Sequence, residues 1–317
     1  MQRFRAALLI LGSVIFSPVS ASAETSTLVL GTATAGGGFT VYGEVLAETL
    51  RESDPTLDIR PRPTAGSKEN IPLLEAGQLD LGLVEGTAAY EALTGIGRSP
   101  APLTVVAAMY PSPGMFAVRA DSPYRTILDL KDQRVVFGAA GSGFVLLARH
   151  VLDGLGLDMQ KDFDAVLLEK VKDAPPMVLS GEAAALWGGG IGWPGFEAIA
   201  RGPKGARFIG LEPDDITRIQ TKHPFLKTMT VAAGTYPGLE RAITTVGSWG
   251  LILARPGLPD DLAYRFARAL HRAQPALSRR LAQAQATTPA NTLAASPHAE
   301  FLHPGVVRYL KELALIP

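Results

Sequence analysis

The segment that decides the fold is Gly31-Thr32-Ala33-Thr34-Ala35-Gly36-Gly37-Gly38-Phe39. It follows an apolar run at residues 28–30, which predicts a buried strand, and precedes residues 41–50, where apolar side chains recur near helical spacing. Three glycines leave the start of this helix without side-chain cover, so a ligand can approach free backbone N–H groups at the positive end of the helix dipole. The unit is therefore a place to hold a small anion, unless it is a flexible loop that binds nothing.

Two later stretches repeat this arrangement. Residues 64–70 lie between a predicted strand at residues 58–60 and a helix. Residues 137–144 follow a predicted strand at residues 134–137 and open a helix at residue 145. Three glycine- and serine-rich helix starts, each directly after a strand, favour a ligand site over three unrelated flexible loops.

Strands and helices alternate from residue 24 to about residue 109, an order typical of a mainly parallel, three-layer α/β lobe. Pro111-Ser112-Pro113-Gly114 predicts a break, after which residues 115–119 predict a strand that leads into a second α/β lobe. Residues 243–254 are β-rich and predict a return to the first lobe. We therefore expect a signal peptide at residues 1–23, a first lobe of residues 24–114 plus 240–317, and a second lobe of residues 115–239.

The N-terminal segment has the pattern of an export signal. Arg3 and Arg5 form a short basic start, residues 6–16 are apolar, and Ala21-Ser22-Ala23 fits a small-x-small cleavage site. The apolar run is shorter than the about 20 residues that a membrane span needs, which argues against the alternative of an uncleaved anchor. We expect a periplasmic protein that is cleaved after Ala23 and has no stable membrane insertion of the mature chain.

Composition excludes several classes of function. The chain has 30 basic and 30 acidic residues, with no clustered basic excess of the kind that binds nucleic acid. It has no cysteine, which excludes disulfides, thiolate metal sites and cysteine nucleophiles. An exported chain without disulfides is compatible with a bacterial periplasm, where they are permitted but not required.

The glycine loops do not match the templates of enzymes. Val41 stands where a dinucleotide fingerprint needs its third glycine, and no loop ends in the Gly-Lys-Ser/Thr of a nucleotide site. Ser142 and Ser248 both miss the pattern of a nucleophile elbow. We therefore predict a binding protein without catalytic activity or cofactor.

The histidines give no sign of a metal site. None of the five has a histidine partner at i+4, so we expect surface or capping residues rather than ligands or bases; they are His150, His223, His271, His298 and His303.

Taken in order, several short motifs resemble the TAXI family of solute receptors for TRAP transporters, over nearly the whole chain that follows the signal peptide. They are Gly36-Gly37-Gly38-Phe39, Thr64-Ala65-Gly66-Ser67-x-x-Asn70, Gly77-Gln78-Leu79-Asp80, Asp129-Leu130-Lys131-Asp132-x-Arg134-Val135, Gly138-x-x-Gly141-Ser142-Gly143, Gly234-Thr235-Tyr236-Pro237-Gly238 and His303-Pro304-Gly305. The resemblance implies a type II periplasmic-binding-protein fold, with two α/β lobes, two crossing strands and a ligand cleft. It also implies ligands such as glutamate, glutamine or 2-oxoglutarate, and two integral membrane subunits of a TRAP transporter as partners.

Two departures from the family pattern bear on the ligand. Members usually carry Gly-x-Ile/Val-Asp-Ala where this chain has Gly181-Glu182-Ala183-Ala184-Ala185, and often a glutamine where it has Glu85. We expect Glu85 at the cleft floor, where its charge disfavours a plain dicarboxylate and favours a ligand that also offers an ammonium or hydroxyl donor. The alternative is an exposed Glu85 that only caps the next helix.

We predict a receptor that captures a small carboxylate-bearing metabolite, a glutamate-like amino acid or a hydroxy or oxo acid, in the cleft. The alternatives are a ligand sensor that docks to a signalling receptor, and an enzyme on the same fold. The two lobe crossings, near residues 110–116 and 239–250, are expected to bend when the ligand bridges the lobes. The expected ligand-binding residues are Gly37, Gly38, Phe39, Ser67, Glu85, Tyr110, Gly141, Ser142, Gly143, Phe144, Trp187 and Gly190.

Overall fold

The computed structural model describes residues 25–317, so the predicted signal peptide and its cleavage site lie outside the described residues. In chain order the strands and helices are β1 (Ser26–Gly31), α1 (Gly38–Ser53), β2 (Leu57–Arg62), α2 (Ser67–Glu75), β3 (Leu81–Glu85), α3 (Gly86–Thr94), β4 (Thr104–Arg119), β5 (Arg134–Ala139), α4 (Gly143–Gly154), β6 (Asp164–Leu168), α5 (Ala174–Ser180), β7 (Ala185–Gly189), α6 (Pro194–Ala200), β8 (Ala206–Ile209), α7 (Pro213–Lys222), β9 (Lys227–Val231), β10 (Ile243–Ala254), α8 (Asp260–Arg280), α9 (Pro289–Ala295) and α10 (Pro304–Glu312).

The strands form one path in the order β2-β1-β3-β10-β4-β7-β5-β6, with β8 added on β4 and β9 on β10. At one end β1 pairs in parallel with β2 and β3, and at the other end β5 pairs in parallel with β6 and β7. Each parallel group is interleaved with helices, as the alternation of strands and helices in the sequence predicts. The fold is therefore the expected one of two α/β lobes.

Each lobe has its own apolar core. The first core joins residues 28–110 to residues 251–310, with Leu30, Tyr42 and Phe266 fully buried. The second lobe has two cores, one that contains Trp187 and one that contains Tyr236. Burial on this scale is the main stabilising term for each lobe.

Two long strands run through both lobes and connect them. Strands β4 and β10 are antiparallel neighbours, with Gly247 opposite Pro113. The first half of β4 and the second half of β10 pack in the first core, whereas Phe116 and Val246 pack in a core of the second lobe. This arrangement confirms the two crossing strands that the sequence analysis predicted.

The predicted break at Pro111–Gly114 is wrong, because β4 continues through it. Pro111 pairs with Trp249, and the register of β10 shifts between Trp249 and Leu251. A proline lacks the N–H that a regular ladder uses, and an irregularity of this kind is where a strand tolerates it. The prolines therefore fall at an irregularity of the ladder and do not end the strand.

Two segments in the second half of the chain also differ from the sequence expectation. Helix α7 was not predicted, although Pro213, Asp214 and Asp215 at its start are typical of a helix N-terminus. The segment at residues 282–295, for which the sequence analysis made no helix prediction, includes α9, whose first turn is capped by Thr288 Oγ1 accepting from Asn291 N at 3.1 Å. Within residues 25–317 no helix is both long and apolar enough to cross a membrane.

Candidate functional site

A cavity of about 120 Å³ lies between the two lobes. The starts of α1, α2 and α4 reach it, and residues 187–194 of the second lobe form the facing wall. Of the twelve residues predicted to bind ligand, ten line it: Gly37, Gly38, Phe39, Ser67, Glu85, Tyr110, Ser142, Phe144, Trp187 and Gly190.

The start of α1 is open towards the cavity. Gly37 precedes the helix and provides no side-chain cap, and the backbone N–H groups of Gly38 and Phe39 have no acceptor among the described residues. A Cβ atom at Gly38 would lie 3.2 Å from the Tyr110 hydroxyl and 3.8 Å from Trp193 Cδ1. Glycine at this position therefore lets two aromatic side chains approach the helix start.

The start of α2 depends on Gly66, whose φ of +112° is rarely adopted by residues with a side chain. Ser67 follows as the first helical residue, and its Oγ accepts a hydrogen bond from Glu85 N at 3.0 Å. Its backbone N–H has no acceptor in the part of the chain that the structure describes. The Ser67 hydroxyl is therefore held at the cavity by the end of β3.

At the start of α4, Ser142 Oγ accepts from Phe144 N at 3.2 Å and caps the helix. The two predicted glycines beside it do not line the cavity. A side chain at Gly141 would clash with Ala65, and one at Gly143 would clash with Glu85. These glycines are needed for close packing, and their role as ligand contacts stays a prediction.

Glu85 lies at the carboxyl end of β3, lines the cavity and is 1% exposed. Its carboxylate caps α3, where Oε2 accepts from Thr87 N at 2.9 Å and from Ala88 N at 3.4 Å. Oε1 accepts from the hydroxyls of Thr87 and Ser248. Glu85 therefore caps α3, as the alternative interpretation expected, but it is buried and not exposed. Burial raises the pKa of Glu85 to about 7, against the opposing effect of these hydrogen bonds.

Tyr110 is another buried polar side chain of the cavity, at 5% exposure. Its hydroxyl points at Gly38 and makes no hydrogen bond within residues 25–317. Burial, with smaller effects of Tyr42 and Tyr236, raises the pKa of Tyr110 far above its ordinary value, so the hydroxyl keeps its proton. Tyr110 therefore presents an unused donor at the open start of α1.

The wall of the second lobe contains a residue that the sequence analysis missed. Trp193 precedes α6, and its Nε1–H donates to Gly36 O at 3.3 Å across the cleft. Its backbone N–H donates to the Tyr236 hydroxyl at 3.0 Å, and that hydroxyl donates to Gly190 O. Trp187 donates from Nε1 to Phe144 O at 2.8 Å. The sequence pattern that could have predicted Trp193 as a site residue is a tryptophan directly before the proline of a helix start, after a run of glycines.

The lobes touch on both sides of the cavity, so the arrangement is closed. Lys68 N donates to Gly141 O at 3.1 Å, and Gly36 packs so closely on Lys172 that a side chain there would clash. No lysine, arginine or histidine from residues 25–317 lines the cavity. An anion in it would therefore be held by helix starts and hydroxyls, with Glu85 as the one carboxyl group of the described lining.

The same described range contains no group of three or more His, Asp or Glu side chains placed to hold a metal ion. The chemistry of the cavity is thus that of neutral N–H and O–H donors, one buried carboxyl group and aromatic walls.

Comparison with solved structures agrees with this architecture. The periplasmic aliphatic sulphonate binding protein SsuA from Escherichia coli matches with a TM-score of 0.51 and 20% identity, over 90% of this chain and 78% of that chain. The alkanesulfonate-binding protein SsuA from Xanthomonas axonopodis pv. citri, bound to MOPS, matches with a TM-score of 0.51 and 21% identity, over 92% and 85%. A TctC solute binding protein from Polaromonas matches with a TM-score of 0.50 and 15% identity, over 94% and 100%.

At these identities the structural matches show the fold, which is that of periplasmic solute-binding proteins. The sequence profile of the NMT1-like family matches residues 30–313, nearly the whole chain. The chain therefore belongs to the NMT1-like family.

Proposed function

We propose that this protein is a periplasmic solute-binding receptor that captures a small carboxylate-bearing metabolite between its lobes, without catalysing a reaction. The observation that carries the proposal is the meeting of three helix starts and the unpartnered Tyr110 hydroxyl at one enclosed cavity. Each helix start stabilises a nearby anion by about 0.3–1 kcal/mol when exposed and up to about 2 kcal/mol when partly buried. Together they orient a carboxylate without a basic side chain.

The ligand class follows from size and charge. A dry cavity of about 150 Å³ holds one benzene molecule in another protein, so this cavity of about 120 Å³ suits a compact solute in the closed state. A second carboxylate beside Glu85 would be unfavourable while that group is ionised. The proposal is an amino acid or hydroxy acid, glutamate-like at most in length, with its carboxylate at the start of α1.

The partners are proposed from the resemblance to the TAXI family. The receptor would deliver its solute to the two membrane subunits of a TRAP transporter. Neighbouring genes for two such subunits would support this assignment, and a neighbouring sensor kinase instead would contradict it.

The experiment begins with mass spectrometry of the small molecule released when freshly purified protein is denatured. Calorimetric titration with L-glutamate, L-lactate and 2-oxoglutarate then ranks the classes. Gly38→Val should abolish binding because it fills the space beside Tyr110, whereas Ser53→Ala at the far end of α1 is the matched control. Wild-type affinity in both Gly38→Val and Ser142→Ala would overturn the site, and turnover of the bound solute would overturn the assignment as a binding protein.

A further inference from the structure

Two histidines far apart in the sequence meet outside the cavity. His150 on α4 and His223 after α7 approach with their Nδ1 atoms 3.2 Å apart. The other nitrogen of each ring faces a carboxylate: His150 Nε2 lies 2.6 Å from Glu91 Oε1, and His223 Nε2 lies 2.7 Å from Asp153 Oδ2. We name these four residues the histidine bridge. His223 is the C-cap residue of α7, in agreement with the expected capping role, whereas the meeting of the two histidines was not predicted.

The histidine bridge connects the two lobes. Glu91 lies on α3 of the first lobe, whereas the other three residues belong to the second lobe. Beside it Tyr90 of the first lobe stacks on Phe225 of the second, with ring centroids 4.4 Å apart. Both histidine side chains are mostly buried in this contact. A change in the bridge therefore acts on lobe closure.

Counting protons shows what the bridge requires. Its three hydrogen bonds, Glu91–His150, His150–His223 and His223–Asp153, need three protons. Two neutral histidines bring one ring proton each, and ionised carboxylates bring none. Without a third proton, one pair of acceptors must face each other at hydrogen-bond distance. The closed arrangement therefore needs exactly one proton more than two neutral histidines provide.

Neighbouring groups place that proton. The pKa of Asp153 is lowered, chiefly by the hydrogen bond that its carboxylate accepts from Lys222. Asp153 is therefore ionised and accepts from His223 Nε2–H. Burial lowers the pKa of His223, which stays neutral and accepts at Nδ1. By the proton count, His150 then donates from Nδ1 to His223 and from Nε2 to Glu91.

Two further charged groups of the surroundings are Lys68 and Arg149. Burial, followed by Arg149, lowers the pKa of Lys68, while Glu91 raises it. Neither cation takes part in the three hydrogen bonds of the bridge, so both contribute only a background charge.

We propose that the histidine bridge holds the lobes closed only while it carries one shared proton, so that closure depends on pH with a bell-shaped profile. Loss of the proton leaves two Nδ1 lone pairs facing each other, and a second proton leaves two N–H groups facing each other. Closure is therefore greatest between the two proton-binding steps of the histidine pair and falls on both sides of that interval. A difference of one bound proton changes the ratio of closed to open protein by up to about tenfold per pH unit.

A divalent cation between the two Nδ1 atoms is the competing occupant, because metal-binding histidines commonly donate their other N–H to a carboxylate. It is less favoured here, since structural zinc sites use four protein ligands and residues 25–317 offer no group of three.

The first test needs no variant and no ligand. Nitrogen-15 spectra of histidine-labelled protein between pH 5 and pH 9 report which ring nitrogens carry protons, and the exposed His298 serves as internal reference. Within this range there should be a pH interval in which one histidine is doubly protonated and its partner carries only Nε2–H. Small-angle scattering over the same range should give the smallest radius of gyration in that interval.

Variants separate the bridge from general pH effects. Glu91→Gln keeps an acceptor for His150 Nε2–H but removes the negative charge, so the alkaline limb should move to lower pH. His223→Gln should abolish the bell, and His298→Gln should leave it unchanged.

Three results would overturn the proposal. One is independent titration of His150 and His223 with the profile of His298, and another is a radius of gyration that does not change with pH. The third is a stoichiometric metal in the purified protein whose removal by EDTA alters the His150 and His223 signals.

Discussion

The Trp193 indole N–H donates to the backbone carbonyl of Gly36 at 3.3 Å, from the second lobe to the first. Gly36, the acceptor, belongs to the glycine-rich loop that begins at Gly31. The segment that decides the fold therefore also contacts the second lobe across the cavity. The Tyr236 hydroxyl holds Trp193 in position, because it accepts from Trp193 N and donates to Gly190 O. Closure and the shape of the cavity are therefore coupled through a few hydrogen bonds.

Trp193→Phe tests this coupling. The substitution keeps an aromatic wall but removes a cross-cleft bond whose net contribution is about 1 kcal/mol, so solute affinity should fall about fivefold. Trp193 is also buried in a core of the second lobe, so the smaller phenylalanine ring should in addition lower the melting temperature without ligand. Calorimetric titration measures the first effect and thermal unfolding the second; unchanged affinity would show that the bond does not contribute to capture.

Tyr110→Phe and Tyr42→Phe form a matched pair with opposite expected effects. The Tyr110 hydroxyl has no partner in the described chain, so its removal should leave stability equal or slightly higher while weakening solute binding. The Tyr42 hydroxyl bonds Thr287 Oγ1 at 3.0 Å in the core of the first lobe, so its loss should cost about 1 kcal/mol of stability and leave affinity unchanged. Calorimetric titration measures the solute affinity of both variants, and thermal unfolding measures their stability. A loss of stability in Tyr110→Phe would contradict the view that its hydroxyl has no partner within the protein.

Glu85→Gln should remove a pH-dependent term from stability. Burial raises the pKa of Glu85 from the ordinary 4.5 to about 7, so the folded protein binds the proton more tightly than the unfolded chain. The contribution of Glu85 to the free energy of unfolding therefore falls as the pH rises from 4.5 to about 7, by roughly 3 kcal/mol at most. Glutamine can replace it because the Thr87 and Ser248 hydroxyls can turn to accept from the amide.

The measurement is the difference in unfolding free energy between Glu85→Gln and wild type at several pH values from 4.5 to 8. This difference cancels the contribution of the histidine bridge, which both proteins share. It should increase with pH in favour of glutamine, and a difference that stays constant would exclude a raised pKa at Glu85.

Periodicity predicted the parts of the site that depend on neighbours in the sequence. The strand–loop–helix units at Gly37, Gly66 and Ser142 follow from apolar spacing and glycine content, and all three helix starts reach the cavity. Trp193 and the His150–His223 contact were missed because each needs a partner from a distant segment, 157 residues away for Gly36 and 73 residues apart for the histidines. Long-range pairs of this kind leave no periodic signal in one sequence.

Gly141→Ala tests hinge closure without altering the cavity lining. The φ of Gly141 is not positive, so the local backbone before α4 can accommodate alanine. The added Cβ would, however, clash with Ala65 of the other lobe. Each lobe should fold normally, while the closed arrangement becomes unfavourable and β4 and β10 hold the lobes apart. Scattering should show a fall in the radius of gyration when wild type is saturated with its solute and no fall in Gly141→Ala. Ala140→Ser, at an exposed neighbouring position, is the control that should close like wild type. Closure of Gly141→Ala with wild-type affinity would mean that the contact between Gly141 and Ala65 is not required in the bound state.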